Sequence, residues 1–65
     1  MSETENKASY ARILRQETKR IRELAEKMEK KAEALTREGR YNESWECYEL
    51  AGYLKGIATV FEDLV

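Results

Sequence analysis

Apolar residues recur three and four apart along most of the chain, which is the period of a helix rather than of a strand. From Tyr41 to Val65 a heptad register places Ser44, Ala51 and Ala58 at position a, and Cys47, Leu54 and Phe61 at position d. Leu50, Ile57 and Leu64 fall at g, Tyr53 and Val60 at c, and Tyr48 at e. These positions are contiguous on a helical wheel, so the apolar arc exceeds the ~100° stripe that a helix uses against one neighbour. The pattern predicts an amphipathic helix over about 42–64 that needs at least two partners.

The same spacing runs through Ala11, Leu14, Thr18, Ile21, Ala25, Met28, Ala32 and Leu35, and predicts a first helix over about 3–38. Both stripes set small residues at a and large ones at d, layers that interdigitate when antiparallel helices approach closely. Ser2 or Thr4 serves as the first N-cap; Ser2 has capping-box spacing to Glu5, and Glu3 and Glu5 suit the positive first turn. Glu23 with Lys27 and Glu26 with Lys30 have the favourable i to i+4 orientation of a solvated face. Gly39 is the one glycine between the stripes and supplies the stop, with Arg37 and Arg40 beside that negative end. Asn42 is the predicted N-cap of the second helix, followed by Glu43 and Glu46. A turn of about 39–41 makes the helices antiparallel. The fold expected for residues 1–65 is a single all-α helical hairpin.

The two helices differ in length, about 54 Å against about 34 Å at 1.5 Å per residue. Folded at Gly39, the second leaves Ala8, Tyr10, Ala11, Ile13 and Leu14 overhanging with an apolar side uncovered. Sixty-five residues bury too little surface to be robust alone. The single cysteine excludes an internal disulfide, and the absence of histidine leaves no zinc ligand set. A second copy is the simplest cover, giving a homodimeric four-helix bundle; a different protein is the other. Leu14, Ile21, Met28, Leu35, Cys47, Leu54 and Phe61 are the expected core and dimer residues.

Charge divides the chain. Residues 1–40 carry eleven basic and eight acidic side chains, whereas residues 41–65 carry one basic and five acidic. Two helices that attract one another account for this, and a basic surface for nucleic acid is the alternative. The nucleic-acid candidates are Lys7, Arg12, Arg15, Lys19 and Arg22, a stretch interrupted only by Glu17. The protein-binding candidates are Trp45, Tyr48, Glu49, Gly52 and Gly56 on the second helix, with Tyr10 and Ile13 in the overhang. Trp45 occupies a b position, normally polar, and each helical glycine costs about 1 kcal/mol relative to alanine. Glycines four apart make a notch, and a tryptophan beside it has the character of a binding hot spot.

Without histidine, paired thiol or glycine-rich phosphate loop, neither enzymatic activity nor a cofactor is expected. No apolar run nears the ~20 residues of a membrane span, and no signal peptide is visible, so the expected location is the cytoplasm without a membrane partner.

The segment Ala11-Arg12-Ile13-Leu14-Arg15-Gln16-Glu17-Thr18 resembles the first helix of the Rop family, plasmid-encoded RNA-binding four-helix-bundle dimers. The small-a, large-d register extends that resemblance over both helices. It implies a dimeric bundle whose first helices face paired RNA loops. Where that family has an aromatic and a glutamine on the RNA face, this chain has Ile13 and Glu17. The stretch Gly39 to Ala51 is similar to the turn and second helix of a tetratricopeptide unit, although the chain contains no repeat. The compact, charged, alanine-rich hairpin also resembles small phage proteins that inhibit or redirect a host protein. The expected function is that of a regulator or inhibitor binding a host protein, with Rop-like RNA binding as the alternative.

Overall fold

The computed structural model describes residues 3–64, with side chains from residue 8 onward. The cap proposed at Ser2 and the side chain of Lys7 lie outside the described residues. Two helices, α1 (Glu3–Arg37) and α2 (Tyr41–Asp63), pack antiparallel as a hairpin measuring 56 × 14 × 10 Å. No described helix is long and apolar enough to cross a membrane.

Gly39 turns the chain with a φ of 78°, the left-handed conformation that a side chain resists. The Gly39 amide donates to the Thr36 carbonyl at 3.0 Å and the Arg40 amide to the Leu35 carbonyl at 2.9 Å. These two bonds form a Schellman motif, which satisfies carbonyls that the end of α1 leaves unpaired. The motif also sets where α2 begins. Arg40, not Asn42, is the N-cap; its carbonyl accepts the Ser44 amide at 3.0 Å, and its side chain makes no capping bond. The Arg40 guanidinium instead holds the Glu43 carboxylate and reaches Glu38. Glu43 therefore sits in the first turn of α2 as expected, while Asn42 lies inside it.

Apart from Leu35, the seam is made of small residues. Thr18, Ala25, Ala32 and Leu35 of α1 and Ser44, Ala51 and Ala58 of α2 are buried. The Ser44 hydroxyl reaches the Ala32 carbonyl at 2.8 Å and also meets the Thr36 hydroxyl, so the polar pair closes the loop end of the seam. Thr18 donates to the Leu14 carbonyl at 2.6 Å, which satisfies the other buried hydroxyl.

The large d residues behave differently from the interdigitated layers read from the sequence. Leu35 is buried as expected, but Leu14, Ile21, Met28, Cys47, Leu54 and Phe61 are half-buried, and no large side chain among the described residues is fully out of water. Small a residues let the backbones close on one another, and that closeness pushes the d side chains to one edge of the seam. From Ala8 to Glu17 no residue is buried, as expected for a stretch beyond the end of α2.

Candidate interaction surfaces

The hairpin has two unlike flanks, one following the e positions of both helices and one following d and g. On the first, Arg22 pairs with Glu62, and Lys55 pairs with Glu29. These are the two ion pairs that cross the seam among the described residues, and every partner is at an e position. At the acidic end of α2 the Arg22 guanidinium hydrogen bond holds the Glu62 carboxyl below its ordinary value and raises its own. The helix-face pairs expected between Glu23 and Lys27 and between Glu26 and Lys30 do not form; among the described residues the local pair on α1 is Glu17 with Arg20 at 2.9 Å.

The second flank is apolar and open. Beside the half-buried d residues stand Tyr10, Ile13 and Leu24 of α1 and Leu50, Tyr53, Ile57, Val60 and Leu64 of α2, all exposed. Tyr10 and Ile13 thus belong with Leu24, Ile57 and the d row, rather than with Trp45. Leu24 and Ile57 carry this flank through the middle of the hairpin, and their g spacing is visible in the sequence.

Trp45, Tyr48 and Gly52 lie on the e side of α2, and the structure adds Tyr41 to them. Once α2 starts at Tyr41, the spacing Tyr41, Trp45, Tyr48, Gly52 is a single helical stripe; assigning Tyr41 to the turn conceals this. Tyr41 and Trp45 are 68% and 67% exposed, large values for aromatic side chains. A Cβ placed on Gly52 or Gly56 would meet nothing within 4 Å, so the hairpin itself gives neither glycine a packing reason. Glu49 is adjacent, but its carboxylate turns away and accepts the Tyr53 hydroxyl at 2.8 Å. That bond raises the Tyr53 hydroxyl above its ordinary value. With Glu46 and Leu50 the pair lines a shallow cleft of about 340 Å³.

The basic candidates are divided as well. Arg15, Lys19 and Arg22 converge on an open groove of about 580 Å³ beside the end of α2, shared with Thr18, Glu23, Glu26 and Glu62. Arg22 is committed to Glu62, whereas Arg12, Arg15 and Lys19 are exposed and enter no ion pair among the described residues. Three carboxylates in the groove interrupt what the sequence presents as a nearly pure basic stretch. Cys47 is a half-buried free thiol in the d row. No family model, no curated protein and no solved structure matches this chain.

Proposed function

We propose that the chain is a small non-catalytic interaction protein whose hairpins pair through the d and g flank into a four-helix bundle. The bundle keeps the opposite flank free to bind another protein, as a cytoplasmic regulator or inhibitor of phage or plasmid type. One observation carries this reading: the apolar side chains of the d and g flank stand open along the length of the hairpin, while its other flank is stitched by ion pairs. An apolar surface of that extent on so small a protein marks an association site. The stripe of Tyr41, Trp45, Tyr48, Gly52 and Gly56 lies off that flank, so self-association and partner binding do not compete for surface.

Light scattering at micromolar concentration gives about twice the 7.6 kDa chain mass if the reading is right. A well-folded monomer at high concentration removes it. Capture from a nuclease-treated host lysate by wild type, and its loss with Trp45→Ala, tests the partner face.

The second reading, Rop-like or less specific nucleic-acid binding, is favoured by the free cations Arg12, Arg15 and Lys19 on one side of α1. Arg12→Glu with Arg15→Glu then abolishes RNA binding that falls steeply with salt. Failure to bind RNA or DNA at low salt removes that reading, since attraction is strongest there.

A further inference from the structure

We infer that the open flank is covered by a second copy of this chain laid antiparallel on the first, with the two-fold axis passing Leu24 and Ile57. This rests on the dimeric reading above and adds the orientation and register, which that reading leaves open.

The g positions of α1 are Tyr10, Glu17, Leu24, Lys31 and Glu38, all exposed. A two-fold axis makes an interface isologous: if residue i of one copy meets j of the other, then j also meets i. Turned end for end about Leu24, this row is complementary to itself. Leu24 meets Leu24, Glu17 meets Lys31 and Lys31 meets Glu17. Glu17 keeps its local Arg20, while Lys31 meets no carboxylate among the described residues of its own chain. The g row of α2 behaves the same way. About Ile57, Leu50 faces Leu64, and all three are exposed in the hairpin.

One axis can serve both rows only if Leu24 and Ile57 stand at the same level. Two contacts across the seam locate them. Ser44 bonds to the Ala32 carbonyl, and moving eight residues along each helix brings Leu24 opposite Gly52. Glu29 pairs with Lys55, and moving five residues brings Leu24 opposite Val60. Ile57 falls between these bounds.

The arrangement also gives the unequal helix lengths a role. At this register Ile13 lies at the level of Leu35 in the other copy, and Tyr10 at the level of Glu38. The loop end of one hairpin therefore covers the stretch of α1 that α2 is too short to reach. In this register α1 overlaps its copy over residues 10–38 and α2 over 50–64, roughly 42 Å and roughly 21 Å of helix, each strip roughly 10 Å wide. Together they cover roughly 600 Å² per partner, at the lower end of the ~600–1,000 Å² of a standard stable interface. The other symmetric packing, with both loops at one end, sets α1 against α2 of the second copy. That leaves Tyr10 and Ile13 of both copies beyond the end of the facing α2, with their exposed apolar side still uncovered.

Charge exchange tests the register in the full chain. Glu17→Lys and Lys31→Glu each create two like-charge contacts, and each single variant weakens the dimer about tenfold. The double variant restores wild-type affinity, and an equimolar mixture of the two single variants forms heterodimers in preference to either homodimer. A double variant as weak as the sum of the singles, or no heterodimer preference, overturns the inference. Oxidation is a second, independent readout. In this register the two Cys47 residues are about 30 Å apart along the bundle, so the dimer forms no interchain disulfide. Rapid disulfide-linked dimerisation of wild type overturns the orientation while sparing the dimer. A monomer at every concentration overturns the dimeric reading itself.

Discussion

The two flanks of this hairpin are built from the same heptads and end in opposite states. On the e flank, Arg22 with Glu62 and Glu29 with Lys55 close the seam with charges that remain partly exposed. On the d and g flank, Leu24, Leu50, Ile57 and Leu64 are exposed beside a row of half-buried side chains. The difference shows how little a narrow seam can bury. Alanine, serine and threonine at the a positions bring the helices together, but they contribute little apolar area of their own. Apart from Leu35, the large side chains that could supply a core lie at the edge of the seam, on the side where no cross-helix ion pair forms among the described residues. Stability therefore depends on what covers that side.

The largest effect separates the flanks directly. Leu54→Asp or Leu14→Asp places a carboxylate in the d row and is expected to cost about 2–5 kcal/mol, the scale of a lost core leucine. Lys55→Ala, one residue from Leu54 but on the e flank, removes an exposed pair and is expected to change stability by less than about 1 kcal/mol. Denaturant melts at one protein concentration compare the three. Equal losses at Leu54 and Lys55 would mean that the flanks do not differ in what they contribute.

The hairpin is legible in the sequence because its stripes keep one period and a single glycine separates them. The open flank is less legible. A heptad pattern records which residues are apolar, but small a residues and large d residues fit equally well into an interdigitated seam or a tight seam with an open edge. The start of α2 misleads for a different reason. Asn42 is a good cap by residue type, yet the Schellman bonds of Gly39 and Arg40 fix the chain direction first, and helix geometry resumes at Tyr41. The candidate aromatic stripe lost Tyr41 to that single boundary. The basic stretch is legible as charge, but Glu62 joins Arg22 from forty residues away, and no local spacing announces that pair.

The turn comes next in size. Gly39→Ala forces a Cβ into the left-handed region, although nothing else stands within 4 Å of it. The expected loss is about 1–2 kcal/mol, purely from backbone conformation. Gly39→Asn should lose less, since asparagine tolerates that region. Because the loop end belongs to both flanks, this loss lowers the melting temperature without changing how the variants at Leu54 and Lys55 differ.

Gly52 and Gly56 sharpen the comparison from the other side. Both are helical, and both face open space. Alanine at either is expected to stabilise the free protein by up to about 1 kcal/mol. If the stripe from Tyr41 to Gly56 binds a partner protein, the same substitutions fill its notch and reduce capture, and Trp45→Ala reduces it further with no loss of helix content by circular dichroism. A gain in stability with unchanged capture would make the stripe ordinary solvent-facing surface.

The smallest effect lies in the ion pair that ends the e flank. The Arg22 guanidinium lowers the Glu62 carboxyl in the folded chain, chiefly through their hydrogen bond. A carboxyl whose folded pKa is depressed contributes stability above its unfolded value, and that contribution is lost as pH falls through the folded one. Glu62 is solvent-exposed, so screening keeps the contribution small. Melting temperatures of wild type and Arg22→Gln should therefore differ slightly at pH 6 and converge as the solution is acidified below the ordinary glutamate range. Added salt should shrink the difference at pH 6 in the same way. If Arg22→Gln instead destabilises equally at every pH, Arg22 acts through the packing of its aliphatic stem against the end of α2, and the e flank would be held by contact as well as by charge.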